Sequence, residues 1–168
     1  ILHVHSDASY LSAPEARSRA GGHHFLGNHP KPTKSTFQNG PIHNIAKIIR
    51  NVMSSATEAE VGALFVNTKE AVPPRTALLE MGHPQPPTPL QTDNSTAFDI
   101  VHNIVKQVRL KAMDMRFYWV RDRVRQGQFN VFWAPGSSNL GDYFTKTHSP
   151  VHHTRMRPVY LHTTTLTS

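Results

Sequence analysis

Four acidic residues, far apart in the sequence, each lie where a predicted strand ends or a predicted helix begins. They are Asp7, Glu58 or its neighbour Glu60, Asp93 and Asp142. Strand ends and helix starts are the places where α/β sheets gather their sites. Carboxylate oxygens are the ligands that Mg²⁺ prefers, and two such ions roughly 3.5–4 Å apart can activate a water for phosphoryl displacement. The four acids therefore indicate a site for two divalent cations.

Each acid also has an ordinary structural role open to it. Asp7 is a common turn residue, and Asp93 would make a good helix N-cap. Ser55 followed by Glu58 matches the capping box, in which each side chain bonds the other residue's free amide. Asp142 suits the first turn of a helix, where the dipole favours negative charge. A metal site is therefore expected only if the four acids meet.

The elements that must position the acids follow an α/β pattern. Strands are predicted over residues 3–10, 19–27, 42–53, 90–92 and 129–133. Helices are predicted over 57–71, 75–81, 95–105, 113–124 and 139–146, with Pro73 and Pro74 separating the first two. The first three strands predict an antiparallel meander, and the last two alternate with helices. We expect a five-stranded mixed sheet, three antiparallel strands then two parallel ones, flanked by helices.

Composition narrows the class of protein. The 168 residues carry 18 Lys+Arg against 11 Asp+Glu, a net charge of +7 that favours a nucleic-acid partner. The absence of cysteine excludes a disulfide framework, a thiolate zinc site and a cysteine nucleophile. No apolar run predicts a membrane span or signal peptide. We expect a piece of a longer polypeptide, with one domain over 1–150 and a partly disordered C-terminal tail over 151–168.

Five sequence blocks occur in an order that points to one family. They are Ser-Asp-Ala-Ser-Tyr, Ser-Ser-Ala-Thr-Glu-Ala-Glu, Thr-Asp-Asn-Ser-Thr-Ala, Asp-Met-Arg-Phe-Tyr-Trp-Val-Arg-Asp and Ala-Pro-Gly-Ser-Ser-Asn-Leu-Gly-Asp-Tyr-Phe-Thr-Lys. From about Leu2 to Lys146 the chain resembles the ribonuclease H domain that ends the Pol polyprotein of copia-type LTR retrotransposons. The resemblance implies the type 1 ribonuclease H fold and metal-dependent hydrolysis of the RNA strand of RNA–DNA hybrids.

The resemblance also implies a site and its partners. Its Asp-Glu-Asp-Asp set carries over as both catalytic and metal-binding residues to Asp7, Glu58, Asp93 and Asp142, with two Mg²⁺ for which Mn²⁺ can substitute. It selects Glu58 over Glu60, because the family's glutamate directly follows the threonine. The implied partner is the reverse transcriptase portion of the same polyprotein. We expect an intracellular protein, in a cytoplasmic retroelement particle if still part of a retrotransposon, and a monomer when isolated. The alternative is a nucleic-acid-binding module of the same fold with weak or no catalysis.

Substrate contacts are predicted from two kinds of side chain. Short polar groups near the acids suit recognition of the RNA 2′-hydroxyl, and the candidates are Ser55, Thr57 and Asn94. Of these, Asn94 has no evident capping role. Basic side chains suit phosphate contact, and the candidates are Lys106, Arg109, Lys111 and Arg116. Trp119 and Trp133 are predicted to be packing residues.

Overall fold

A computed structural model describes residues 1–28, 40–102 and 114–161 of the chain. Within these ranges the strands are β1 Leu2–Ala13, β2 Arg17–Leu26, β3 Pro41–Ile48, β4 Thr88–Thr92 and β5 Phe129–Trp133. They form one sheet in the order β3-β2-β1-β4-β5. β1 pairs antiparallel with β2, and β2 with β3, whereas the pairs β1–β4 and β4–β5 are parallel. The predicted mixed sheet is confirmed.

The helices are α1 Ala56–Glu80, α2 Ser95–Val101, α3 Asp114–Arg125 and α4 Pro150–Tyr160. Single 3-10 turns cover Gly136–Ser138 and Asp142–Phe144. No helix in the described ranges has both the length and the apolar character needed to cross a bilayer.

The helix predicted over 139–146 is replaced by the short turn Asp142–Phe144. Side chains explain the change, since Asn139 and Thr145 bond backbone groups of this segment and so compete with helical bonds.

Helix α1 continues through Pro73 and Pro74, where the sequence predicted a break. A proline in a helix removes the hydrogen bond to the carbonyl four residues earlier. Pro73 is exposed, so solvent can satisfy the carbonyl that it leaves free. The far end of α1 is also anchored, because the Arg75 guanidinium donates to the carbonyls of Gln85 and Pro86 at 2.7 and 2.6 Å. These contacts offset the cost of the prolines.

Helix α4 occupies most of the segment that was interpreted as a tail. Ser149 caps it by accepting a hydrogen bond from the His152 amide, and Pro150 takes the first helical position, where its missing N–H costs nothing. The Tyr160 side chain is buried and donates to the Leu140 carbonyl at 2.7 Å. The packed structure therefore extends to Tyr160, and residues 162–168 lie outside the described ranges.

Two neighbouring glycines show how the sheet is covered on both faces. A Cβ on Gly22 would lie 1.8 Å from Asn67 Oδ1 of α1, whereas a Cβ on Gly21 would lie 2.5 Å from the Gly141 carbonyl oxygen. Successive strand residues point to opposite faces. Helix α1 therefore packs on one face of β2, and the turn around Asp142 packs on the other.

A buried asparagine ties α1 to the sheet. Asn67 is fully buried, and its Nδ2 lies 3.0 Å from Ser6 Oγ and 2.9 Å from the Gly21 carbonyl oxygen. Its Oδ1 accepts from Nε2 of His24 at 3.1 Å. Burial holds the pKa of His24 down at about 4, so the ring is neutral at physiological pH. Asn67 thus links α1 to both β1 and β2.

We expect Asn67→Ala to lower the free energy of unfolding by about 2 kcal/mol, because it leaves buried partners of the amide unsatisfied. Urea denaturation followed by circular dichroism measures the change. Asn130→Ala is the matched control, since Asn130 is exposed on β5 and its loss should change stability by less than about 0.5 kcal/mol. Equal effects of the two substitutions would contradict this role for Asn67.

Candidate metal centre

Three carboxyl groups converge where β4 ends beside the central strand β1. Asp7 lies in β1, Asp93 directly follows β4, and Glu60 lies in the second turn of α1. One ligand atom from each lies within 4.8 Å of those of the other two. β1 and β4 are parallel neighbours in which His5 pairs with Gln91, so Asp7 lies level with Asp93, in the middle of β1 and not at a strand end as expected. Asp7 and Asp93 therefore meet as the sequence predicted, and a glutamate of α1 joins them.

That glutamate is Glu60 and not Glu58, which corrects the residue taken from the resemblance. Glu58 Oε2 accepts from both the amide and the hydroxyl of Ser54 at 2.5 Å, and the Glu58 amide donates to Ser55 Oγ at 3.1 Å. Glu58 is therefore engaged at the helix N-terminus in a variant of the capping box, in which its side chain accepts from Ser54 and not from the amide of the N-cap Ser55. Two residues turn a helix by about 200°, so Glu60 points the other way. Its Oε1 accepts from the Ala8 amide, next to Asp7, at 3.2 Å.

Asp142 lies near this group but does not belong to it. Its carboxylate forms an ion pair with Lys146 and is 31% exposed. Its negative charge nevertheless contributes to raising the pKa values of Asp7 and Asp93. Asp142 therefore lies at the rim of the cluster, close enough to act on it through space.

The cluster holds more negative charge than its surroundings can balance. Burial, followed by the charges of Asp7 and Asp93, raises the pKa of Glu60 to about 9. Burial also raises the pKa of Asp7 to about 6, against a lowering by the Thr145 hydroxyl, and raises that of Asp93. Lys146 is the cation whose charge opposes these shifts. Clustered carboxylate oxygens with little neighbouring positive charge are suited to bind a hard divalent cation.

The turn after β5 fixes the position of Asp7. The Thr145 hydroxyl donates to Asp7 Oδ2, and Thr145 is buried. Asn139 Nδ2 donates to the Ser6 carbonyl at 2.8 Å, and the Leu140 amide donates to His5 Nδ1 at 3.1 Å. The sequence analysis did not single out these residues. The sequence feature that could have identified Asn139, Leu140 and Thr145 is their position in the family block that ends Asp-Tyr-Phe-Thr-Lys.

The backbone and side chains around Asp93 are also closely fitted. A Cβ on Gly136 would lie 2.7 Å from Asp93 Oδ2, so only glycine allows the turn to come this near. The Trp133 indole N–H donates to the Asp93 carbonyl at 3.0 Å. Trp133 is 49% exposed, so it is not the packing residue that was predicted. Trp119 does pack, against Phe65, with ring centroids 5.5 Å apart.

The structure gives different roles to the residues that were predicted to contact substrate. Ser55 caps α1, and Asn94, which was expected to have no capping role, caps α2 by accepting from the Ala97 amide at 2.9 Å. Thr57 is half-buried in the first turn of α1. Arg116 donates to Asn51 Oδ1 at 2.8 Å on the exposed side of α3. Lys106, Arg109 and Lys111 lie outside the described residues.

Known proteins resemble the chain in both sequence and structure. It is 28% identical over 146 residues to the retrovirus-related Pol polyprotein from transposon TNT 1-94 of Nicotiana tabacum. It is 27% identical over 152 residues to that from transposon RE2 of Arabidopsis thaliana. These matches cover 87% and 89% of the chain but only 10% of each relative's length. No family model matches the chain.

Two solved structures share the fold at low sequence identity. The N-terminal RNase H domain of rv2228c from Mycobacterium tuberculosis matches with a TM-score of 0.59 at 14% identity, covering 86% of this chain and 89% of that one. LC11-RNase H1, solved in complex with an RNA/DNA hybrid, matches with a TM-score of 0.60 at 12% identity, covering 86% and 93%. The ribonuclease H fold and the resemblance to transposon Pol polyproteins are confirmed.

The raised pKa of Glu60 predicts how stability depends on pH. The native state holds a proton that the unfolded state releases, so stability from this group is full below pH 4.5 and is lost as pH rises through about 9. The buried histidines act in the opposite sense and only below their ordinary pKa of 6.5. We therefore expect the free energy of unfolding to fall between pH 6.5 and 9 in the presence of a chelator.

Glu60→Gln should remove most of this slope and stabilise the metal-free protein at neutral pH by roughly 2 kcal/mol. Urea denaturation at a series of pH values, with chelator present, measures both effects. Glu58→Gln is the control, because it weakens a helix cap and should lower stability by about 1 kcal/mol at every pH. A wild-type slope in Glu60→Gln would contradict the burial of an uncompensated carboxyl group.

Proposed function

We propose that this chain, which has the ribonuclease H fold and resembles transposon Pol polyproteins, is a metal-dependent endonuclease that hydrolyses the RNA strand of RNA–DNA hybrids. The observation that carries the proposal is the group formed by Asp7, Glu60 and Asp93, with ligand atoms within 4.8 Å of one another where β4 ends beside β1. The net charge of +7 supports a polyanionic substrate.

We assign the metal ligands to Asp7, Glu60 and Asp93, with Asp142 completing the set from the rim. Two bound Mg²⁺ ions, or Mn²⁺ in their place, would supply an activated water and stabilise charge on the leaving oxygen. The chain's own task is then geometric, because the metal-activated water would serve as the nucleophile. Thr145 holds one oxygen of Asp7, and Trp133 and Gly136 hold Asp93.

Lys146 has a distinct place in this scheme. Its ammonium group forms an ion pair with Asp142, and the charges of Asp7 and Asp93 contribute to raising its pKa. A cation bound by Asp142 would compete with this ion pair. The Lys146 side chain is 55% exposed, so it can leave Asp142 and turn towards a substrate phosphate. Lys146 thus holds Asp142 in position until metal and substrate bind.

Substrate recognition is proposed from the side chains that remain available. Thr57 lies in the first turn of α1 and is partly exposed. Its short hydroxyl side chain suits contact with a 2′-hydroxyl. Arg116 lies on α3, and it can exchange Asn51 for a phosphate oxygen. The hybrid bound by LC11-RNase H1 supports the same substrate class for this chain.

The wider setting follows from the relatives. The chain corresponds to a tenth of their length, so the reverse transcriptase portion of such a polyprotein is the proposed partner. A cytoplasmic retroelement particle is the proposed location, and a monomeric state of the isolated chain remains a prediction.

Paired glutamate variants test the assignment most sharply. With a labelled RNA–DNA hybrid and Mg²⁺, we expect Glu60→Gln to lower the rate of cleavage at least about 100-fold, because it removes a charged metal ligand. Glu58→Gln, two residues away, should keep at least half of the wild-type rate once folding is confirmed by circular dichroism. Asp7→Asn should behave like Glu60→Gln.

The outcomes separate the possible explanations. Loss of cleavage in Glu58→Gln with full activity in Glu60→Gln would overturn the ligand assignment. Wild-type protein that binds the hybrid tightly but cuts it at no Mg²⁺ or Mn²⁺ concentration would instead show a binding module of the same fold. Cleavage that persists in excess chelator would refute metal dependence.

A further inference from the structure

Trp133 is a large apolar side chain that is exposed to solvent beside the metal centre. It is 49% exposed, whereas Phe129 and Val131 of the same strand are buried. Alternate residues of a strand share one face of the sheet. Phe129 and Val131 belong to the core that α1 covers, so Trp133 lies on the same face as the helix that carries Glu60. The exposed half of its ring takes no part in packing.

The indole ring of Trp133 is fixed by its own polar group. Its N–H donates to the Asp93 carbonyl at 3.0 Å. Throughout the described part of the chain, no other side-chain hydrogen bond, ring pair or cation–π contact involves this indole. The N–H is the only donor that the side chain has, so its exposed surface is flat and apolar. A ring held in this way loses little conformational freedom when it binds a ligand.

The chain segments beside this ring carry only short side chains. Residues 134–138 follow Trp133 and read Ala-Pro-Gly-Ser-Ser, and residues 94–96 follow Asp93 and read Asn-Ser-Thr. Gly136 comes so close that a Cβ on it would lie 2.7 Å from Asp93 Oδ2. Compared with the side chains of these segments, Trp133 therefore has the longest reach beside Asp93.

A hybrid bound at the metal centre would present sugar rings to this surface. Its bases are paired and stacked inside the duplex, whereas sugars with their 2′-hydroxyls line the wide, shallow minor groove. A sugar ring offers C–H groups that can pack on a flat apolar face. Each ribose is joined directly to phosphates, so the ribose beside a phosphate at the acids is the nearest candidate. Because the indole N–H already bonds Asp93, contact through the ring face is the kind that remains open.

We propose that the exposed face of Trp133 packs against the ribose next to the phosphate that is cleaved, and so positions the RNA strand over Asp93. The inference rests on the proposed function, because it takes the cleaved phosphate to lie at the acids. Trp133 then acts in two ways. Its N–H holds the backbone of a metal ligand, and its ring face contacts the substrate.

Tryptophan fluorescence tests the contact directly. The sequence holds two tryptophans, so Trp119→Phe leaves Trp133 as the sole indole. An RNA–DNA hybrid is added in excess chelator, which prevents metal-dependent cleavage, and at low salt, which strengthens phosphate contacts. We expect saturating hybrid to shift the emission of Trp133 to shorter wavelength and to reduce its quenching by acrylamide. In Trp133→Phe, the remaining Trp119 packs against Phe65 and should respond little.

Affinity for a labelled hybrid, measured by fluorescence anisotropy under the same conditions, separates the ring face from the N–H bond. Trp133→Ala should weaken binding about fivefold, whereas Trp133→Phe keeps a flat ring and should stay within about twofold of wild type. Leu79→Ala is the matched control, because Leu79 is 48% exposed but lies about 28 Å from Glu60 along α1. It should leave affinity unchanged. Circular dichroism confirms that each variant is folded.

Unchanged acrylamide quenching of Trp133 at saturating hybrid would overturn the inference, as would wild-type affinity in Trp133→Ala. Equal losses in Trp133→Phe and Trp133→Ala would also overturn it, because the N–H bond and not the ring face would then be responsible. The proposed function is tested separately, by cleavage of the hybrid with wild-type protein and Mg²⁺. Cleavage without any response of Trp133 would leave the nuclease standing and remove this contact. Protection of Trp133 without cleavage would support the contact and refute the nuclease.

Discussion

Burial of three neighbouring carboxyl groups is the constraint that the surrounding structure must withstand. Asp7, Glu60 and Asp93 come from β1, from α1 and from the end of β4, and burial raises the pKa of each, with a smaller contribution from the charges of neighbouring acids. Such a group would separate if its backbone were free to move. The contacts that hold each element in place are therefore what preserves the site.

Those contacts come from segments far apart in the sequence. The turn that contains Asn139 and Thr145 bonds β1 beside Asp7, and Asn67 ties α1 to β1 and β2 on the other face. β1 is thus held from both sides just where it delivers Asp7. Close approach of backbone at Gly22 makes the Asn67 contacts possible, because a Cβ there would collide with the Asn67 side-chain oxygen.

The sequence allowed the sheet and two of the three acids to be predicted, because both depend on local patterns. Alternation gave the strands, and the end of a predicted strand gave Asp93; Asp7 was also identified, although it lies in the middle of β1 and not at its end. Which glutamate faces the two aspartates depends on the direction in which each side chain leaves the helix. The family resemblance, which places the glutamate directly after the threonine, selected Glu58. The capping box at Ser55 and Glu58 was visible in the sequence and pointed correctly to Glu58 as a cap.

Other features depend on tertiary contacts that no local pattern reveals. Helix α1 passes Pro73 and Pro74 because Arg75 is anchored by a distant connector. Helix α4 has little apolar periodicity, and it is attached by Tyr160 bonding the Leu140 carbonyl and by His153 meeting the Tyr143 hydroxyl. The exposure of Trp133 follows from its position at the end of β5, beside Asp93. The last of these differences lies at the candidate metal centre, where side chains serve more than packing.

Calorimetric titration of Mg²⁺, in two buffers of different ionisation enthalpy at neutral pH, tests the central claim most directly. Glu60 holds a proton there because its pKa is raised to about 9, so a metal that binds to it must release that proton. We predict proton release on binding in wild-type protein and in Glu58→Gln, with weakened binding and no such release in Glu60→Gln. Unchanged Mg²⁺ affinity and proton release in Glu60→Gln would contradict the account.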